Sequence, residues 1–230
     1  MDSQLFLSPA LDVAPRLLGG LLGVNSPQGQ VTVRITEVEA YHGLGTEGPY
    51  DPGAHSKDRK TPRNASMFGP PGHAYVYLSY GIHFALNLVC SPESIASAVL
   101  IRAGEVVQGI DLARQRRSVA TEPTNPPRRS TISDAQLARG PGNLGKALGI
   151  TRDTHDGLSL FADPFDIQLP SQPPERVARG PRVGVAGVAG STEFPWRFWI
   201  PNEPSISSFR PGRNAPAWVY DPSQHLINGS

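Results

Sequence analysis

The chain has 230 residues, with 24 glycines, 24 prolines, one cysteine and a formal net charge of +1. So many turn formers argue against a helical bundle, and a single cysteine excludes an intramolecular disulfide and fits a reducing compartment. There is no apolar run long enough to span a bilayer and no basic N-terminal region leading into one, so a soluble intracellular protein is expected.

Residues 10–24 (ALDVAPRLLGGLLGV) read as a short helix broken near Gly19-Gly20, followed by a turn at Asn25–Gln28. Residues 31–41 (VTVRITEVEAY) alternate as a strand does. Val31, Val33, Ile35, Glu37, Glu39 and Tyr41 then share one face, which begins apolar and ends in two carboxylates and a phenol. Such an end can present a catalytic acid, or it can simply be a strand emerging into solvent. Residues 42–72, rich in glycine, proline and charge, read as loop. They hold His55 and a basic set, Lys57, Arg59, Lys60 and Arg63, suited to phosphate contacts.

Residues 74–89 (AYVYLSYGIHFALNLV) read as a β-hairpin turning at Gly81, with Tyr80 at its tip and Asn87 on an otherwise apolar return strand. Residues 97–103 (SAVLIRA) read as a further strand. Residues 104–117 read as an amphipathic helix whose closing arginines suit a helix C-terminus. A polar, proline-bearing insertion at 119–133 precedes a helix opened by the Gly-Pro-Gly turn of GPGNLGKALGI, residues 140–150. Strands are expected at 158–169 and 181–189, and a loosely packed tail from Pro211. Between Lys57 and Lys146 there are 12 basic against 6 acidic residues, so this middle is +6 and the rest −5. A polyanion-facing side and ordinary solvated charge both fit that distribution. Strands in meanders rather than βαβ units imply an α+β fold: a single domain over residues 1–210 with a curved antiparallel sheet, a protruding hairpin and surrounding helices, then a tail over 211–230 of unassigned role. Nucleotide-cofactor loops and zinc motifs are absent from the sequence.

TEVEAYHG, AHSKDRKTPRNASMFGPPGHAYVYLSYGIHFALN, VLIRA, GPGNLGKALGI and PRVGVAG follow one another along the chain. In that order they resemble the alkyladenine (3-methyladenine) DNA glycosylases of the mammalian type, from about residue 10 to about Arg210. The resemblance implies a monomeric enzyme of base-excision repair that needs neither metal nor other cofactor. It would flip an alkylated or deaminated purine out of duplex DNA and hydrolyse the N-glycosidic bond, leaving an abasic site. The lesion class would be 3-methyladenine, 7-methylguanine, hypoxanthine and ethenoadenine. The family's E-A-Y motif falls on Glu39-Ala40-Tyr41, which implies that Glu39 activates a water and steadies the growing oxocarbenium charge. Arg102 and the Val185 carbonyl match the groups that help hold this water. Tyr41, Tyr77 and His55 match the stacking slot for the base, and Asn87 matches the residue at its floor that discriminates against normal guanine. Tyr80 matches the wedge that fills the gap left by the extruded nucleotide. The enzyme would work in the cytoplasm on the nucleoid of a bacterium, or in the nucleus of a eukaryote. Two other readings stay open on the residues alone: a non-catalytic nucleic-acid-binding module, and a glycoside hydrolase using Glu37 and Glu39, roughly 7 Å apart along one strand.

Overall fold

A computed structural model describes residues 2–79, 81–118 and 132–228. A 3-10 turn at Asp2–Leu7 leads into helix α1 (Ala10–Leu17), which lays Ala10, Val13, Ala14 and Leu17 into the core at helical spacing. The sequence pattern suggests that this helix resumes after Gly19-Gly20, but residues Leu21–Val24 instead form strand β1. A short, wholly apolar run carries no period of its own. Tertiary pairing decides it, because β1 lies antiparallel between β2 (Val31–His42) and a later strand, β7. Gly20 has no Cβ, and one would crowd the Gln168 and Leu17 carbonyls.

Strand β2 is the spine of the molecule. It is buried on both faces rather than on alternate residues, and its pairing register shifts between Ile35 and Val38. After the loop and a 3-10 turn at Ala65–Phe68 come β3 (Ala74–Ser79) and β4 (His83–Val89), the expected hairpin. Ser79 pairs with His83 across the turn, and Gly81 takes a positive φ of 69° there. Strand β5 runs from Ser97 to Gln108, five residues past the expected end. Its second half pairs with the start of β2, so helix α2 begins only at Ile110 and runs to Ser118. The short strand β6 (Ala138–Arg139) pairs with β5 and leads into α3 (Pro141–Leu148), then α4 (Arg152–His155).

Only Phe165–Gln168 of the expected 158–169 strand forms β7. Residues 181–189 form no strand, because Gly184 and Gly187 take positive φ and the segment turns; the neighbouring strand is β8 (Arg176–Gly180). Strand β9 (Arg197–Trp199) returns beside β2. The expected loose tail instead forms α5 (Pro222–His225) and β10 (Leu226–Asn228), which pairs with β8. Trp218 sits edge-on to Trp199, Phe209 and His225. Aromatic residues at irregular spacing pack as a cluster, and no periodic stripe announces it. The sheet order is β10-β8-β9-β2-β5-β4-β3, with every pairing antiparallel, and the helices lie around it. This is the α+β architecture expected. Among the described residues no helix is long and apolar enough to cross a membrane. Tyr80 and residues 119–131 of the insertion lie outside the described residues.

Candidate active site

Glu37 and Glu39 have no solvent exposure, although both stand near the end of β2 where the chain could have left the core. A carboxylate buried in this way requires hydrogen-bond donors, and each acid has its own set. Glu39 Oε1 accepts the Val183 backbone N–H at 2.7 Å; its Oε2 accepts the Tyr41 hydroxyl at 2.8 Å and Arg102 Nη1 at 3.3 Å. Glu37 accepts Arg102 Nε at 3.0 Å, Arg197 Nε at 2.6 Å, and the backbone N–H and hydroxyl of Ser207 at 2.7 and 2.8 Å. One guanidinium, that of Arg102, therefore bridges both acids. It reaches them from β5, where Ala103 and Leu100 pair with Glu37 and Glu39 respectively.

Burial raises the proton affinity of Glu37, but the charges of Arg102 and Arg197 and the bonds from Ser207 outweigh it, so its pKa is lowered. For Arg102 burial favours the neutral form, and the two carboxylates outweigh that and raise its pKa. Burial, then the neighbouring Glu39 charge, pushes the Tyr41 phenol well above its ordinary value, so it stays a hydrogen-bond donor.

The three groups that bind Glu39 all line one cavity of about 560 Å³, together with His55, Arg63, Met67, Tyr75, Tyr77, Asn87 and Val185. That volume lies within the range of small-molecule sites. Tyr41 is held from behind. The Arg182 guanidinium lies 4.5 Å from its ring centroid and 5.1 Å from that of Trp196. Arg182 is itself fully buried, paired through both Nη atoms with Asp51 at 2.7 and 2.6 Å and bonded to the carbonyls of Ala40 and Ala189. Elsewhere in the cavity lining, the Tyr77 ring meets His55 edge-on at 4.7 Å and lies 5.5 Å from that of Tyr75. Desolvation by the surrounding side chains, then the Arg63 charge, lowers the pKa of His55 and favours its neutral form. Asn87 faces Tyr75 across the hairpin, and its Nδ2 donates to the Tyr75 carbonyl at 3.0 Å. This bond fixes which end of the amide remains for other contacts.

Glu39, Tyr41, His55, Tyr77, Asn87 and Arg102 thus meet at one place, drawn from four strands and a loop. Val185 also lines the cavity, but its carbonyl is packed against the backbone of Gly190 and Gly212, where a Cβ on either residue would collide with it. Val183, two residues earlier, is the member of that loop bonded to Glu39. Among the basic residues of the 53–72 loop, Arg63 lines the cavity and donates to the Leu78 carbonyl. Lys60 lies over the Phe68 ring, Lys57 donates to the Pro52 carbonyl, and Arg59 is exposed. The loop is organised by Asn64, which bonds the carbonyls of His55 and Arg59 and the N–H of Thr61. Asn64, Asp51, Arg182, Arg197 and Ser207 were not singled out in the sequence. No local pattern marks the Asp51–Arg182 pair, whose members are separated by 131 residues.

The sequence model of the methylpurine-DNA glycosylase family matches residues 4–204. A protein of Leifsonia xyli subsp. xyli is 49% identical over 205 residues, covering 89% of this chain and 90% of its own. One of Streptomyces avermitilis is 45% identical over 213 residues, covering 91% and 92%, and one of Nocardia farcinica is 48% identical over 200 residues, covering 85% and 87%. Each of the three bears the name "Putative 3-methyladenine DNA glycosylase".

Proposed function

The chain belongs to the methylpurine-DNA glycosylase family, and we propose that it is a monofunctional DNA glycosylase of base-excision repair. It takes an alkylated or deaminated purine from duplex DNA in the bacterial cytoplasm and hydrolyses its N-glycosidic bond. The observation that carries this reading is a buried carboxylate, Glu39, whose three donors all belong to the wall of an aromatic cavity.

An everted purine stacks between Tyr41 on one side and Tyr77 with His55 on the other, with Asn87 at the floor. Stacking of this kind contributes about 1–3 kcal/mol per base in single-strand binders, and it offsets part of the cost of leaving the helix. Oε1 of Glu39 has one protein donor, so it retains acceptor capacity for a water O–H. As the bond between C1′ and the purine nitrogen breaks, its electron pair leaves with the base. The water oxygen bonds to C1′, and the carboxylate takes the water proton and passes it to solvent. A cationic alkylpurine leaves already neutral, while an uncharged deaminated purine takes up one proton from solvent at the nitrogen that leaves. The products are the free purine and an abasic site. Glu39 and the Arg102 bridge lie in place before the reaction, so the charge developing on the sugar meets a preorganised field. At the rim, Arg63 and the exposed Arg59 suit the phosphate backbone, with Lys57 and Lys60 beside them. Tyr80, between Ser79 and Gly81 in the sequence, is the residue suited to fill the vacated gap.

The hydrolase reading with paired carboxylates loses its second acid. Glu37 is held by four donor bonds, three of them on Oε1, and of its donors Arg102, Arg197 and Ser207 only Arg102 lines the cavity, whereas all three donors of Glu39 do. The binding-module reading and the enzyme reading are separated by Glu39→Gln. Purified protein is incubated with duplexes bearing a single hypoxanthine or 3-methyladenine, and abasic sites are cleaved with alkali. The variant should retain lesion-duplex affinity and lose excision by at least about 100-fold, the scale of a general base. Near-wild-type excision by Glu39→Gln would overturn the assignment.

A further inference from the structure

The family match ends at residue 204, and the chain then runs along Thr36 and Glu37 of the strand that carries Glu39. Ser205 Oγ lies 2.9 Å from Thr36 Oγ1, and the Ile206 carbonyl accepts Arg139 Nε at 2.7 Å. Every polar group of Ser207 is engaged. Its N–H and hydroxyl donate to Glu37, its carbonyl accepts Arg197 Nη2 at 2.8 Å, and its Oγ accepts Arg102 Nη2 at 3.1 Å. A few residues on, the Arg210 and Arg213 carbonyls accept the N–H groups of Gly184 and Gly187, and Gly212 abuts the Val185 carbonyl. The same short segment therefore touches both arms that bear on Glu39: Arg102 on one side and the 183–187 loop on the other. Its far end is anchored by Trp218, which packs over Gly180 and Trp199, and by β10 on β8.

We infer that residues 205–207 and 210–213 form a positioning strap for the glycosylase centre, with Ser207 fixing the Arg102 guanidinium so that it reaches Glu39. The inference rests on the proposed glycosylase reading. Arg102 is held along three edges: Nε on Glu37 at 3.0 Å, Nη1 on Glu39 at 3.3 Å and Nη2 on Ser207 at 3.1 Å. The Glu39 bond is the longest of the three and is the first to go if the plane turns. Loss of the Ser207 hydroxyl leaves Nη2 a charged donor without its partner, and the guanidinium turns toward the more strongly held Glu37. Ser207 touches neither the sugar nor the base, so it acts through Arg102 and is a positioning residue.

The test compares wild type, Ser207→Ala, Ser207→Thr and the exposed neighbour Ser208→Ala. Each is assayed for single-turnover excision from a hypoxanthine duplex, for affinity to that duplex and for thermal melting. A misplacement on the order of 1 Å costs about 100-fold in rate. Ser207→Ala is therefore expected to slow excision by about 10- to 100-fold with lesion-duplex affinity within about twofold of wild type. Ser207→Thr, which keeps the hydroxyl, should recover most of the rate, and Ser208→Ala should match wild type. Equal rates for wild type and Ser207→Ala would overturn the strap and leave the glycosylase reading intact. So would a rate loss that merely tracks the folded fraction or the affinity. A wild-type protein that excises no purine lesion, yet binds the duplex, would overturn the reading and the strap with it.

Discussion

Asp51 and Arg182 form an ion pair with no solvent exposure on either side chain, directly behind a wall of the cavity. Replacing Asp51 by leucine removes both acceptors of the pair at once. Arg182 then keeps only the carbonyls of Ala40 and Ala189 for a charge it cannot release. The backbone N–H groups of His42 and Gly53 also lose the Asp51 oxygens they donate to. Breaking a buried pair on one side costs about 3–5 kcal/mol, and the two orphaned backbone donors push the value toward the upper end. For a chain of 230 residues each kcal/mol moves the melting temperature by about 2–4 °C, so Asp51→Leu should melt about 6–20 °C below wild type. Removing the charge as well, in Asp51→Leu with Arg182→Met, should recover much of that loss, since an apolar pair of similar volume needs no counter-ion. Calorimetric or fluorescence melts of the wild type, the two single variants and the double variant close a mutant cycle. The reasoning fails if Asp51→Leu melts within about 2 °C of wild type, or if the double variant is as unstable as the sum of the two singles. Arg182 also backs the Tyr41 ring, so the double variant, although stable, should stack the base less firmly and excise more slowly.

Asn87→Ser opens the floor of the cavity and frees the Tyr75 carbonyl, and is expected to raise the release of undamaged guanine from duplex DNA. An unchanged ratio of lesion to guanine removal would refute the discriminating role of that amide. Stability should also fall on acidification. The folded-state pKa values of His42 and Glu37 are lowered, by burial for His42 and by the Arg102 and Arg197 charges, acting against burial, for Glu37. In each case the unfolded chain binds the proton more readily, so the associated stability is fully present above the unfolded value and is lost as pH drops below it. The melting temperature should therefore decline from about pH 6.5 downward as His42 contributes, and again from about pH 4.5 as Glu37 does. Flat melts between pH 7 and pH 5 would contradict the burial of His42.

The hairpin, the long strand carrying the acids, the helix after the Gly-Pro-Gly turn and the α+β class could all be read from the amino-acid order. Each rests on local rules: alternation, a glycine at positive φ, a proline at a helix start. The motifs likewise placed Glu39, Tyr41, His55, Tyr77, Asn87 and Arg102 in one family pattern, and the fold brings those six together. Several features could not be read this way. β1 and the second half of β5 resemble helix until their partners in β2 and β7 are known: β1 is a short apolar run without a period, and β5 leaves Glu105, Val107 and Gln108 exposed in a pattern that a helix also allows. The aromatic tail has no period at all, yet it closes the sheet edge. Nor does any local rule tell Glu37 from Glu39. They are two residues apart on one strand, and only the arrival of Arg197 and Ser207 from the far end of the chain ties the first to donors outside the cavity, while every donor to the second lines it. A carboxylate's chemistry is set by the donors around it, and those donors are separated from it by as many as 170 residues.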